Sequence, residues 1–400
     1  MIRCFFFHIL LFGFIINYYS FAQDEVHNST RSFFIEPEFM LGNVVKTKSI
    51  FPERDLRQAY FINVGFYNNS ETGWSRYYNY PFTGFSFFYS DLGNDSIFGK
   101  ELNVSTFIAY NLSRHKFNAW QIRLGLGLSY FTKHYNAENN IINDAVGSSF
   151  TWGFQAFLYR NIVLTPQLHL KIGGGFLHGS NGHTKLPNYG INSAMGSIAL
   201  KYFTQSLSSS GNRRVKYDAG IKNYFINYRY GTGFHEFGGT SGPVGGPTDI
   251  VNSHALSVGI IFRRHIKVRT GFTFRYYHHF YSYITENNPP KYMDNPRWNA
   301  SNIFFFIGCE FLLGHFGMDI EGGLNLHKPF YREFFVVYEE GSELSYQLKR
   351  WFPTRLGLNY YIINTNKMPK HNIFAGVNIN ANFGEADFTE CSIGYTYQIK

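Results

Sequence analysis

The sequence predicts an all-β fold, a transmembrane antiparallel β-barrel of about 12–16 strands, and three observations carry that expectation. Alternation of apolar and polar residues with period two runs through the chain beyond its first residues. No apolar run there is long enough for a membrane helix. The composition is aromatic and glycine-rich, with 44 Phe, 30 Tyr and 39 Gly. Only alternate residues of a barrel strand meet lipid, so weak overall hydropathy together with aromatic girdles suits this class.

The beginning of the chain reads as a secretory signal. Arg3 precedes an apolar run from Cys4 to Ile16, and Ser20-Phe21-Ala22 offers small residues at cleavage offsets. Residues 1–22 are therefore expected to be removed, with 23–400 forming a single outer-membrane β-barrel domain. Strand-like alternation then follows at 33–41, 59–67, 82–90, 104–111, 120–131 and 151–159. It continues at 168–180, 192–203, 217–228, 253–262 and 269–281. The last segments are 303–313, 317–326, 352–362, 373–381 and 388–399.

Connection lengths supply the topology. Short links near Ser113–Lys116, Asn161–Ile162, His265 and His315 alternate with long ones near Lys133–Gly147, Arg229–Thr248, Glu286–Trp298 and Pro329–Leu348. Short turns belong on the periplasmic side and long loops outside, which puts the end of segment 168–180 at the cell exterior. A formal charge of +9 suits anionic lipid head groups. Lys and Arg are scattered, which excludes nucleic acid as a partner. Cys309 and Cys391 are the cysteines left after the signal, and one disulfide or two buried thiols are both open. No spacing marks a metal site, and His278-His279 and His327 lack ligand geometry.

The chemistry is concentrated between Leu168 and Ser193. Even positions from Leu168 through Phe176 are apolar or glycine and continue to His178 and Ser180, whereas odd positions are mostly polar or tiny. Successive strand residues point to opposite faces, so His178 and Ser180 should stand on the lipid side near its outer rim. Asn192 falls on the apolar face of the next strand, and a hairpin around Gly182–Gly190 would bring it beside them. A polar group facing hydrocarbon without a partner costs a few kcal/mol. A base beside a hydroxyl, with a third group orienting the base, explains the trio as a nucleophilic site. Backbone amides around Asn181, Gly182 and His183 would be the oxyanion donors, with Asn188 shaping the turn. Gly173-Gly174-Gly175 reads either as a bend or as a groove for an acyl chain, and Lys185 as a solvated loop residue.

The run His178-Gly179-Ser180-Asn181-Gly182, continued by Leu186-Pro187-Asn188-Tyr189-Gly190-Ile191-Asn192-Ser193, resembles the signature of the lipid A 3-O-deacylase (acyloxyacyl hydrolase-like) outer-membrane family, in its Bacteroidota branch. Trp74, Tyr80-Pro81, Ser90-Asp91-Leu92-Gly93-Asn94 and Gly125-Leu126-Gly127-Leu128-Ser129-Tyr130 agree, so the likeness spans about 33–203. The resemblance implies a serine esterase with His178, Ser180 and a third residue at position 192. Smaller family members have Glu there, and this chain has Asn192. It further implies removal of an ester-linked acyl chain from lipid A or lipopolysaccharide in the outer leaflet, with no cofactor. The His-x-Ser…Asn pattern is also similar to outer-membrane phospholipase A, a calcium-dependent and dimerising enzyme. A homodimer therefore belongs to the assemblies considered. A third reading is a passive channel or structural barrel carrying the motif without activity.

Overall fold

The computed structural model describes residues 32–47, 51–69, 73–113, 117–207, 222–240, 242, 244–339 and 341–399. The expected signal peptide, 1–22, lies outside the described residues. Sixteen strands are present among the described residues. The first eight are β1 (Ser32–Val44), β2 (Arg57–Tyr67), β3 (Phe82–Asp91), β4 (Lys100–Asn111), β5 (Trp120–Phe131), β6 (Phe150–Val163), β7 (Leu168–Ser180) and β8 (Ile191–Phe203). The others are β9 (Lys222–Glu236), β10 (Thr248–Phe262), β11 (Ile266–Tyr277), β12 (Ser301–Leu313), β13 (Phe316–His327), β14 (Pro353–Tyr361), β15 (His371–Asn382) and β16 (Glu385–Ile399).

The strand number agrees with the upper end of the expectation, but the strands close into two barrels of eight and not into one ring. Within each barrel, chain neighbours pair antiparallel. β8 returns to β1, with Phe203 opposite Phe34 and Ser193 opposite Val44. β16 returns to β9, with Thr389 opposite Phe234 and Ile399 opposite Tyr224. Alternation says which face a side chain takes but not which strand completes the ring. Side-chain volume in the lumen decides that, because an eight-stranded barrel is just wide enough for its interior residues to fill it.

The polarity of the walls is inverted relative to a water-soluble protein. Along β1, Phe34, Glu36, Glu38 and Met40 are buried, whereas Phe33, Ile35, Phe39 and Leu41 face outward. Glu36 is 1% exposed and Ile35 40%. In the second barrel Asn227 and Arg229 point in while Tyr224, Ile226, Tyr228 and Tyr230 point out. Such walls are stable where the surroundings are hydrocarbon.

The buried charges are paired. Glu36 accepts from Lys171 at 2.9 Å, Lys201 at 3.0 Å and Arg123 at 3.2 Å. Glu38 takes Arg123 at 2.7 Å and the Tyr159 hydroxyl at 2.6 Å. In the second barrel Arg269 bridges Asp319 at 2.6 Å and Glu321 at 2.7 Å, and Arg355 links Asp319 at 2.7 Å to Glu390 at 3.1 Å. These side chains occupy both lumens, which is the packing of a filled barrel and not of a porin channel.

Two connections differ from the sequence reading. Asn161 and Ile162 lie inside β6, and the turn falls at 164–167. A polar residue reads as a turn in sequence, yet the Asn161 amide is satisfied in the wall by His169 Nδ1 at 3.2 Å. The long loop near 229–248 shrinks to 237–247 because β9 extends to Glu236. Cys309 and Cys391 are both free thiols.

Candidate active site at the seam of the barrels

Register builds the site. On one side of β7, His178 lies opposite Asn192 of β8; on the other, His178 faces Phe154 and Ser180 faces Trp152 of β6. His169, Lys171 and Leu177 of β7 are buried, so the alternate set that includes His178 is on the outer wall. His178 Nδ1 stands 2.7 Å from Asn192 Oδ1. With the amide oxygen as acceptor, the ring proton sits on Nδ1 and the Nε2 lone pair is left free.

Ser180 closes the strand and is 9% exposed. Its Oγ lies 3.1 Å from Asn188 Nδ2, 3.2 Å from Asn188 Oδ1 and 3.3 Å from the Gly182 amide. The Asn181 amide donates to Asn188 Oδ1 at 3.0 Å, which identifies the oxygen end of that side chain. Two N–H groups, from Asn188 and Gly182, therefore aim at the hydroxyl oxygen. Among the described residues no hydrogen bond joins this hydroxyl to the His178 ring. The Asn181 amide is occupied by Asn188, and the Asn181 side chain donates to the Lys185 carbonyl at 2.6 Å. Lys185 itself is exposed.

The turn after Ser180 needs unusual backbone. Gly182, His183 and Gly190 have φ of 64°, 64° and 75°. At Gly190 a Cβ would come within 3.0 Å of His178 Cε1, and its amide donates to Ala145 of the 132–149 loop at 2.8 Å. Gly190→Ala is accordingly expected to keep the barrel but displace the ring. A misplacement of that kind costs on the order of 10²-fold in kcat, to be checked by steady-state deacylation alongside circular dichroism. Within the glycine strip, Gly174 faces outward, where a Cβ would make ordinary contact with the Met195 carbonyl at 3.4 Å, whereas Cβ atoms at Gly173 and Gly175 would strike the β6 backbone.

The His183 side chain is engaged across the seam of the two barrels. Its ring stacks on His235 of β9 at 4.4 Å, and His235 stacks at 4.6 Å on His279 of α1 (His278–Asn287). His183 Nε2 meets the Gly238 carbonyl at 3.0 Å. Burial holds the His183 ring below the ordinary imidazole range against the pull of Asp387, Glu385 and Glu236, and it drives His279 down to about 3, with His183 and His278 adding to the effect. Rings depressed in this way stabilise the seam fully while neutral, above the ordinary imidazole range, and that contribution is lost as pH falls through their lowered range, which for His279 lies at about 3. Limited proteolysis within 181–190 should therefore accelerate as pH drops through that window and be unchanged between pH 7 and 8.

Sequence reading did not single out Trp152, Glu236, Thr240 or Thr389, which touch the turn after Ser180 or its flank. Trp152 had a signal, since it stands on the apolar face of its strand beside Ser180; the other three lie in a different barrel.

Two family models match the chain: Lipid A 3-O-deacylase (PagL) over residues 62–201 and Acyloxyacyl hydrolase, C-terminal domain, over 224–399. The chain belongs to this lipid A deacylase and acyloxyacyl hydrolase family. Each match falls within one barrel. The protein is thus an outer-membrane hydrolase of lipid A deacylase type, a class acting on ester bonds. Among solved structures, the outer membrane enzyme PagL is 15% identical, covering 42% of this chain and 98% of its own, with a TM-score of 0.29. An outer membrane channel from Pseudomonas putida F1 is 8% identical over 94% of this chain and 98% of its own, at a TM-score of 0.19. No curated protein matches the chain.

Proposed function

We propose that this lipid A deacylase-type hydrolase is a serine esterase that releases an ester-linked acyl chain from lipid A in the outer leaflet. The observation that carries the reading is the 2.7 Å contact of His178 Nδ1 with Asn192 Oδ1, two residues from a serine that accepts two N–H groups. In this mechanism the Ser180 hydroxyl leaves Asn188 and gives its proton to His178 Nε2 as Oγ attacks the acyl carbonyl. The tetrahedral oxygen is stabilised by Asn188 Nδ2 and the Gly182 N–H, which turn from Oγ to the developing charge. His178 returns the proton to the departing sugar hydroxyl. Water, deprotonated by the same ring, then hydrolyses the acyl-serine and frees a fatty acid.

Asn192 is neutral, so it orients the imidazolium without the electrostatic help of a carboxylate; cysteine proteases of the papain type manage with Asn in this role. The substrate approaches laterally, because His178 and Asn192 stand on the outer wall and the lumens are filled. Purified protein incubated with lipid A vesicles and, separately, phospholipid vesicles is the test. Fatty acid released from lipid A in the presence of a chelator is expected. Release from phospholipid alone, and only with calcium, would point to a phospholipase A in its place.

A further inference from the structure

The second barrel holds the nucleophile turn of the first from several directions. The Leu186 amide donates to Glu236 Oε2 at 2.9 Å, and Glu236 Oε1 is fixed in turn by the Gly245 amide at 2.7 Å. The Asn188 amide donates to the Thr240 carbonyl at 2.9 Å, and the Glu236 amide to the His183 carbonyl at 3.2 Å. Trp152, the strand partner of Ser180, donates through Nε1 to Thr389 Oγ1 at 3.0 Å. The same Thr389 hydroxyl would lie 2.3 Å from a Cβ at Gly182. It is therefore packed against the residue whose amide reaches the Ser180 oxygen.

Thr389 is on the outer face of its strand, with Cys391 and Ile393 on the same side. Ile393 is 56% exposed, whereas Thr389 is 4% exposed because the first barrel covers it. Glu236 is only 2% exposed at the end of β9, and its carboxylate accepts from the Leu186 and Gly245 backbone amides. A buried carboxylate without a cation is costly unless amides solvate it. Here one of those amides belongs to the turn that carries Asn188, which gives the carboxylate a task in holding that turn.

We propose that the second barrel is a positioning clamp for the active site of the first, with Glu236 and Thr389 as its positioning residues. They act through Leu186, Trp152 and Gly182 to hold the Asn188 and Gly182 donors at the Ser180 oxygen. This inference rests on the serine-esterase reading above. A deacylase barrel that carries its clamp in the same chain gains a preorganised oxyanion site, and preorganised donors act where charge develops in the transition state.

The test is steady-state deacylation of lipid A in mixed micelles by the full-length protein and its variants. Thr389→Val and Glu236→Gln should each lower kcat by about tenfold or more with KM unchanged, since a displaced oxyanion donor weakens the transition state and not ground-state binding. Thr389→Ser should restore most of the loss. Ile393→Ala, on the same strand but distant from the turn, serves as the control with wild-type rates. Barrel closure is checked for every variant by circular dichroism; if Glu236→Gln does not fold, the Thr389→Val and Thr389→Ser pair still decides. Wild-type kcat in Thr389→Val, or a change confined to KM, overturns the clamp while leaving the esterase reading intact. Activity retained in Ser180→Ala would instead defeat the esterase reading itself.

Discussion

Ser180→Ala is expected to lower kcat for lipid A deacylation by about 10⁴-fold or more, with the barrel unchanged. The substitution removes the hydroxyl that is both placed two residues from His178 on the strand and in reach of the Asn188 and Gly182 N–H donors. Its structural cost is small, because Asn188 keeps its bond from the Asn181 amide and its own amide bond to Thr240. The loss should appear in kcat with little change in KM, as for an interaction made in the transition state. Single-turnover release of fatty acid, followed by mass spectrometry, measures it directly.

The second large effect concerns stability. Glu36→Ala leaves Lys171, Lys201 and Arg123 crowded in the first lumen, with Glu38 ion-paired to Arg123. Removing one partner of a buried ion network costs about 3–5 kcal/mol, because the remaining charges stay desolvated and unpaired. The network of the second barrel, centred on Arg269, Arg355, Asp319 and Glu321, shares no residue with it. Hydrogen exchange read by mass spectrometry should show faster exchange in β1 to β8 and wild-type protection in β9 to β16. Equal loosening of both barrels would mean that they unfold as one unit.

Much of this was legible in the sequence, for identifiable reasons. Period-two alternation marks strands and their faces directly, so the inverted polarity of β1 and the outward set of β7 could be read from residues alone. The pairing of His178 with Asn192 followed from a hairpin of known length between two alternating strands. Closure was not legible. Nothing in the alternation of 192–203 says that this strand returns to β1 and does not continue into a larger ring. His183 entered the sequence reading only through its backbone amide, and the stacking of its ring on His235 joins distant segments that no local pattern links. The contact between Trp152 and Thr389 joins residues far apart in the chain and has no local pattern. Asn188 was read as a turn former, and its hydrogen bonds show why that description was incomplete: one side chain both closes the turn and reaches the Ser180 oxygen.

The central claim is that Ser180 is the nucleophile, and covalent trapping tests it most directly. The purified protein would be incubated with a long-chain alkyl phosphonate ester, digested, and mapped by mass spectrometry. The expected result is a single adduct on Ser180, formed in step with loss of deacylation and absent from Ser180→Ala. An adduct on another residue, or full inactivation with Ser180 unmodified, would contradict the account.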